Sequence, residues 1–201
     1  MSRDIMIDLE TLGTSADAII LSIGAVRFDL EAGTVTDPEG AGGFYTELDI
    51  TDQQDYERRI SASTLQWWMG QSKEAQSVFE PDAPKQTLYS ALSNLCRWIA
   101  PDKHATYVWS NGADFDLPML VHAYTALNLV LPWEPYAGRC YRTYKSLPGA
   151  RAVAVPRLGL HHNALDDAVF QAQHVCAIHA ALFGRVCKIN LDGHSAKGGA
   201  A

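Results

Sequence analysis

The chain has 201 residues, 47% hydrophobic and 19% charged, the balance of an ordinary globular domain with a sizeable core. Its formal net charge of −7 and pI near 5.4 exclude a general nucleic-acid coat protein. They leave room for an enzyme acting on nucleic acid, because bound metal can neutralise a site locally. No run of about 18 apolar residues predicts a transmembrane helix, and the start Met-Ser-Arg-Asp leads into no signal-peptide-like segment. A cytoplasmic location without a membrane partner is therefore expected. Cys96, Cys140, Cys176 and Cys187 are scattered without a C-x-x-C pair, which predicts reduced thiols and no zinc site.

In chain order, residues 3–9 read as a first strand, 18–28 as a second and 44–50 as a third, with a Pro/Gly-rich insert at 37–43 between the last two. Three early strands predict an antiparallel meander. Residues 52–80 turn helical and polar, with a short helix beginning near Ser63. A longer helix is expected over 84–99, where Leu88, Leu92, Leu95 and Ile99 recur at helical spacing. Residues 106–110 read as a buried strand ended by Asn111-Gly112. Helix follows over 115–127, with Pro118 tolerable in its first turn. A proline-punctuated loop, 131–138, leads to a basic segment. The last helix spans 164–183, where Leu165, Val169, Ala172, Cys176, His179 and Phe183 trace one stripe. This order predicts one α/β domain over 1–190 around a mixed sheet. The Gly/Ala/Lys-rich tail, 191–201, is expected to be disordered.

Three acidic points stand out. Asp8 and Glu10 close the first strand with only Leu9 between them, so period-two alternation puts both on one face. Like charges so close raise each other's pKa unless something positive sits between them, and their oxygens suit the hard cations Mg²⁺ or Mn²⁺. Taken alone, an Asp-x-Glu pair is more often a solvated strand end than a metal site. Asp114 and Asp116 stand at a predicted helix start, where capping is the bland alternative. Asp116 is the better placed to face the strand end. In His161-His162-Asn163-Ala164-Leu165-Asp166-Asp167, Asn163 can cap the helix with Asp166 as its capping-box partner. Asp167 and His162 then remain for chemistry. His161 and Asp166 are also five apart, so this pairing competes with His162 and Asp167.

The set Asp8-x-Glu10, Asn111-x-Ala113-x-Phe115-Asp116 and His162-x-x-x-x-Asp167 resembles the DnaQ-like 3′–5′ exonucleases of the DEDDh group, with the motifs in the expected order across residues 5–170. Ala164 and Ala168 match the family's alanines and support the pair His162 with Asp167. Thr64-Leu65-x-Trp67-Trp68 with Gln71 resembles the small exoribonuclease-like branch of phages and actinobacteria, which is also similar to part of exonuclease VIII. The resemblance implies an RNase H-like fold, a mixed five-stranded sheet flanked by helices. It implies two divalent cations, Mg²⁺ or Mn²⁺, on Asp8, Glu10, Asp116 and Asp167, with His162 as general base. It further implies single-stranded or 3′-overhanging RNA or DNA as substrate, tilted slightly towards RNA, and nucleoside 5′-monophosphates as products. It places the terminal nucleotide against Thr11, Leu12 and Gly13, and it allows a homodimer.

Residues 139–157 carry Arg139, Arg142, Lys145, Arg151 and Arg157 without an Asp or Glu. They form a candidate phosphate track, with Arg139 and Arg142 as leading contacts and Tyr141 and Tyr144 placed to stack bases. A solvated loop is the plain alternative. Trp67 and Trp68 cannot share a helix face, so one belongs to the core; Trp68 is carried as the substrate contact. His174 and His179 read as helix filler. Two other classes compete with the exonuclease. A binding or scaffolding module on the same fold would be expected to lack a ligand. An aspartyl-nucleophile phosphatase would have no use for the later His-Asp pair.

Overall fold

The computed structural model describes residues 4–81, 83–100, 107–112 and 114–184. Ala113, Cys187 and the tail expected to be disordered lie outside the described residues. Strand β1 (Asp4–Thr11) is buried along its whole length. It pairs antiparallel with β2 (Ile20–Asp29) on one side and parallel with β5 (Tyr107–Ser110) on the other. A central strand covered on both faces needs an almost unbroken apolar run, which Ile5-Met6-Ile7 supplies. Outside β5 lies β6 (Gly138–Cys140), parallel to it. The outer edge of β2 carries β3 (Thr34–Val35) beside its end and β4 (Gly43–Glu47) beside its middle. The mixed sheet is thus five positions wide but built from six strands among the described residues.

Three details differ from the sequence expectation. β3 pairs just before the insert at 37–43, which then folds tightly back, and its last residue begins β4. Residues 48–50 leave the sheet, because the Asp49 carboxylate accepts from Thr51 and Asp52 N–H to cap α1 (Ile50–Gln54). The strand β6, within a segment read as a basic loop, is three residues long and has no alternating pattern to reveal it.

The two faces are covered by different helices. Ile5, Ile7 and Leu9 pack against α4 (Leu88–Ile99) and α5 (Asp116–Ala126). All four helically spaced residues of α4 are buried, but the helix begins at Leu88, capped by Thr87, and not near 84. Gln86 is still extended there, bridging Leu48, and the Thr87 hydroxyl accepts from Ser90 N–H. Met6 faces the other way, towards α7 (Ala164–Phe183), with Val169, Ala172 and Cys176 of the expected stripe; Phe183 at its end is exposed. A third cluster joins Leu12, Ile19 and Trp68. It is roofed by α2 (Ala62–Met69) and α3 (Lys73–Gln76). One turn, α6 (Tyr141–Tyr144), follows β6. Among the described residues no helix is long and apolar enough to cross a membrane.

Candidate active site

Strand β1 outruns its parallel neighbour. The β1–β5 register ends at Met6 opposite Trp109, and β5 stops at Ser110. Past that point the crevice at the carboxyl ends of the parallel strands opens, the usual place for a ligand in an open α/β sheet. Asp8 and Glu10 lie there, on the face that Met6 shares with α7. The Leu9 N–H lies beyond the last residue of the β1–β5 ladder and donates to Asp116 Oδ1 at 3.2 Å. That bond draws the first residue of α5 onto the strand end.

Helix α7 supplies the opposite wall. Asn163 caps it, accepting from Leu165 and Asp166 N–H. The Asp166 carboxylate accepts from Leu160 N–H at 2.7 Å and so secures the preceding loop. Asp167 faces the sheet, and one turn later Gln171 donates to Asp8 Oδ1 at 2.7 Å. Gly24, paired with Asp8 across the β1–β2 ladder, lets the helix approach: a Cβ there would stand 2.1 Å from the Ala164 carbonyl carbon. His162 adopts a left-handed φ of 65° just before the cap, and its N–H donates to Asp167 Oδ2 at 3.3 Å. Glu10, His162 and Asp167 present ligand atoms all within 4.8 Å of one another. The geometry therefore groups His162 with Asp167, while Asp166 is engaged elsewhere.

Asp8, Glu10, Asp116 and Asp167 are all buried, and Arg157 is in direct contact with Asp167. Burial, then the charges of Asp116 and Glu10, holds the Asp8 carboxyl well above its usual range. Burial and the Asp116 charge push Glu10 up to about 8, and burial pushes Asp116 up to about 7. Asp116 Oδ2 and Gln171 Oε1 are buried with no hydrogen-bond partner among the described residues. Clustered buried carboxylates with an orphaned oxygen fit a hard divalent cation, which would relieve both the repulsion and the missing contact.

Two clefts meet at Leu9 and Glu10. The apolar one, 320 Å³, is lined by Thr11, Gly13, Thr64, Trp67, Trp68 and Phe115. The polar one, 310 Å³, takes in Asp8, Asn111, Lys145, Arg157, His162 and Asp167. Of the expected substrate contacts, Thr11 and Gly13 line the apolar cleft. Leu12 does not: its side chain is core, its N–H donates to Ile19 and its carbonyl accepts from Ser61. Trp68 is the core tryptophan, its indole N–H donating to the Thr11 carbonyl at 2.9 Å, so it reaches the cleft only from within. Trp67, 46% exposed, presents the accessible ring and meets His162 edge-on at 4.8 Å.

Arg142 reaches the rim, donating to the Asn111 carbonyl at 2.7 Å. Arg139 does not reach it. Its guanidinium lies 4.0 Å over the Tyr107 ring, beside the end of β5 remote from Asp8, and is held by the Tyr136 and Gly138 carbonyls. Tyr141 and Tyr144 turn inward onto α7 instead of offering faces to bases; they share hydrogen bonds with His174 (2.7 Å) and His179 (2.8 Å). Those two histidines are therefore ties between α6 and α7, not filler. Gln171 was missed as a site residue, although its four-residue spacing from Asp167 puts both on one helix face. Arg157 was legible only as one charge among five.

Residues 3–179 match the 3′–5′ exoribonuclease Rv2179c-like domain. The chain belongs to that family. An exodeoxyribonuclease of Enterobacteria phage T4 is 27% identical over 123 residues, covering 59% of this chain and 54% of the phage protein, so the chain spans about half the length of that relative. Solved structures agree on the fold. The nuclease domain of 3′hExo, a DEDDh family member, bound to rAMP, is 15% identical with a TM-score of 0.56, covering 93% of this chain and 95% of that one. Exonuclease I of E. coli in complex with a dA16 oligonucleotide is 12% identical with a TM-score of 0.62, covering 90% and 41%. Pop2p of S. pombe in a Mg²⁺- and Mn²⁺-bound form is 11% identical with a TM-score of 0.58, covering 93% and 86%. The chain thus carries a domain of that exoribonuclease family on the RNase H-like fold of these DEDDh neighbours.

Proposed function

We propose that this chain is a metal-dependent 3′–5′ exonuclease of DnaQ-like type that shortens single-stranded or 3′-overhanging strands one nucleotide at a time, with RNA slightly preferred to DNA. The convergence of Glu10, His162 and Asp167 within 4.8 Å, at the junction of an apolar and a polar cleft, carries the reading. Asp8, Glu10, Asp116 and Asp167 would hold two divalent cations, Mg²⁺ or Mn²⁺. When bound, such a pair supplies Lewis-acid stabilisation of the entering and departing oxygens at phosphorus. The terminal nucleoside enters the apolar cleft beside Trp67, which sets the scissile phosphate at the carboxylates.

His162 takes the proton from the attacking water. The water oxygen bonds to phosphorus as the bond to the 3′-oxygen of the preceding nucleotide breaks, releasing a nucleoside 5′-monophosphate. Burial, then His161 and Arg157, holds the His162 pKa below its ordinary value, so the imidazole is neutral and able to accept that proton at neutral pH. The family description favours RNA, whereas the phage relative is named for DNA. Discrimination would rest on contacts to the 2′-hydroxyl.

The test is a gel assay on 5′-labelled RNA and DNA of one sequence, with Mn²⁺, Mg²⁺ or chelator. A ladder shortening from the 3′ end, absent with chelator and in Asp8→Ala, is expected, with RNA degraded faster. His162→Ala should keep its Mn²⁺ affinity and lose about 10²–10⁴-fold in rate. Undiminished turnover in that variant would remove His162 as the base. Intact binding without cleavage of either strand by the unaltered protein would leave a non-catalytic module.

A further inference from the structure

Arg157 combines features that holding Asp167 alone does not require. Its guanidinium touches Asp167 through Nη2 and lies 4.7 Å over the Phe170 ring. Among the described residues, Nε and Nη1 have no hydrogen-bond partner. A guanidinium carries five donors in a rigid fork, so contact through one nitrogen leaves others to face the polar cleft that Arg157 lines. The side chain is about a third exposed, so a ligand can reach it.

The segment that presents it is tied at both ends. His174 Nε2 lies 3.0 Å from the Val153 carbonyl, and Leu160 N–H donates to Asp166. Arg157 is therefore held at the mouth of the site by α7, the same helix that carries Asp167.

Charge shows what such a residue is for. Four carboxylates face the site, and two divalent cations would bring the cluster only to neutrality. A phosphodiester brings one negative charge, and a second develops as water adds. Among the described residues, Arg157 is the basic side chain in direct contact with a carboxylate of the cluster, and its positive charge bears on Asp8, Glu10 and His162.

We propose that Arg157 is a catalytic residue of the exonuclease, its outward-facing donors holding a non-bridging oxygen of the scissile phosphate and stabilising the charge that develops there. This rests on the reaction proposed above.

The test compares Arg157→Gln and Arg157→Lys with the unaltered protein, in three measurements. Kinetics on 5′-labelled RNA should show kcat reduced at least tenfold in Arg157→Gln, with partial recovery in Arg157→Lys, which keeps the charge but loses the fork. Mn²⁺ affinity, by calorimetric titration without substrate, should not weaken. With Ca²⁺ present, Arg157→Gln should bind 5′-AMP at least tenfold more weakly than the unaltered protein, while adenosine binding stays the same. Weakened Mn²⁺ affinity with unchanged preference for AMP over adenosine would overturn the proposal and make Arg157 a positioning residue for Asp167. Unchanged kcat in Arg157→Gln would overturn it as well. No activity in the unaltered protein would instead fail the exonuclease reading itself.

Discussion

Trp67 and Trp68 are neighbours in the chain and opposites in the structure. Trp68 fills the cluster of Leu12, Ile19 and Val78 and bonds through its indole N–H, whereas Trp67 projects over the apolar cleft. Trp68→Ala should cost about 3–5 kcal/mol of stability, since it leaves a cavity where a large ring was buried. Trp67→Ala should leave the melting temperature nearly unchanged and raise KM about tenfold, the scale of one lost base–aromatic stack. Thermal melts beside steady-state kinetics separate the two. A large loss of stability in Trp67→Ala would return that ring to the core.

At the scale of elements, the site depends on how closely the first turn of α7 lies on β2. Gly24 permits that approach, and the atoms a Cβ would strike are backbone of Ala164 and Leu165, which cannot swing aside. Gly24→Ala should therefore push out the turn that carries Asp167. An overpacking penalty of about 1–3 kcal/mol is expected. Displacement of Asp167 by about 1 Å would lower kcat roughly 10²-fold. Circular dichroism melts and Mn²⁺ titration check this, and a variant with unchanged metal affinity would show that the turn tolerates the added methyl. The ties of His174 and His179 to Tyr141 and Tyr144 hold α6 against the same helix.

For the whole molecule, the carboxylate cluster links stability to pH and to metal. Folding raises Glu10 from its ordinary 4.5 to about 8 and Asp116 from 3.8 to about 7. A group raised in the folded state favours folding while protonated, and loses that contribution as pH climbs through the folded value. Without divalent cations, these groups should therefore lower the melting temperature between about pH 4.5 and 8. Cations compete with protons for the same oxygens, so the stabilisation by Mn²⁺ should grow across that window. Melting curves at several pH values, with Mn²⁺ and with chelator, check this. A gain from Mn²⁺ that is flat with pH would place the cation away from these carboxylates. Asp8→Asn removes one of the clustered carboxylates and should reduce the stabilisation by Mn²⁺ across this window.

The elements that carry the carboxylates were legible because each depends on local pattern. β1 is an apolar run ending in alternating acids, α5 has proline in its first turn, and α7 has an asparagine cap and an apolar stripe. The α/β order and the resemblance of the three motifs follow from those same residues. What tertiary structure decided is what depends on residues distant in sequence. β6 is a strand because β5 offers it an edge, and Tyr141 and Tyr144 turn inward because α7 lies beneath them. Trp68 was sorted into the core by Leu12 and Ile19, and Arg157 was separated from Arg139 by the fold of the segment between them. Local pattern records which side chains share a face of one element. It carries no record of which two elements will close a cleft, and that closure brings Gln171 to Asp8 and Arg157 to Asp167.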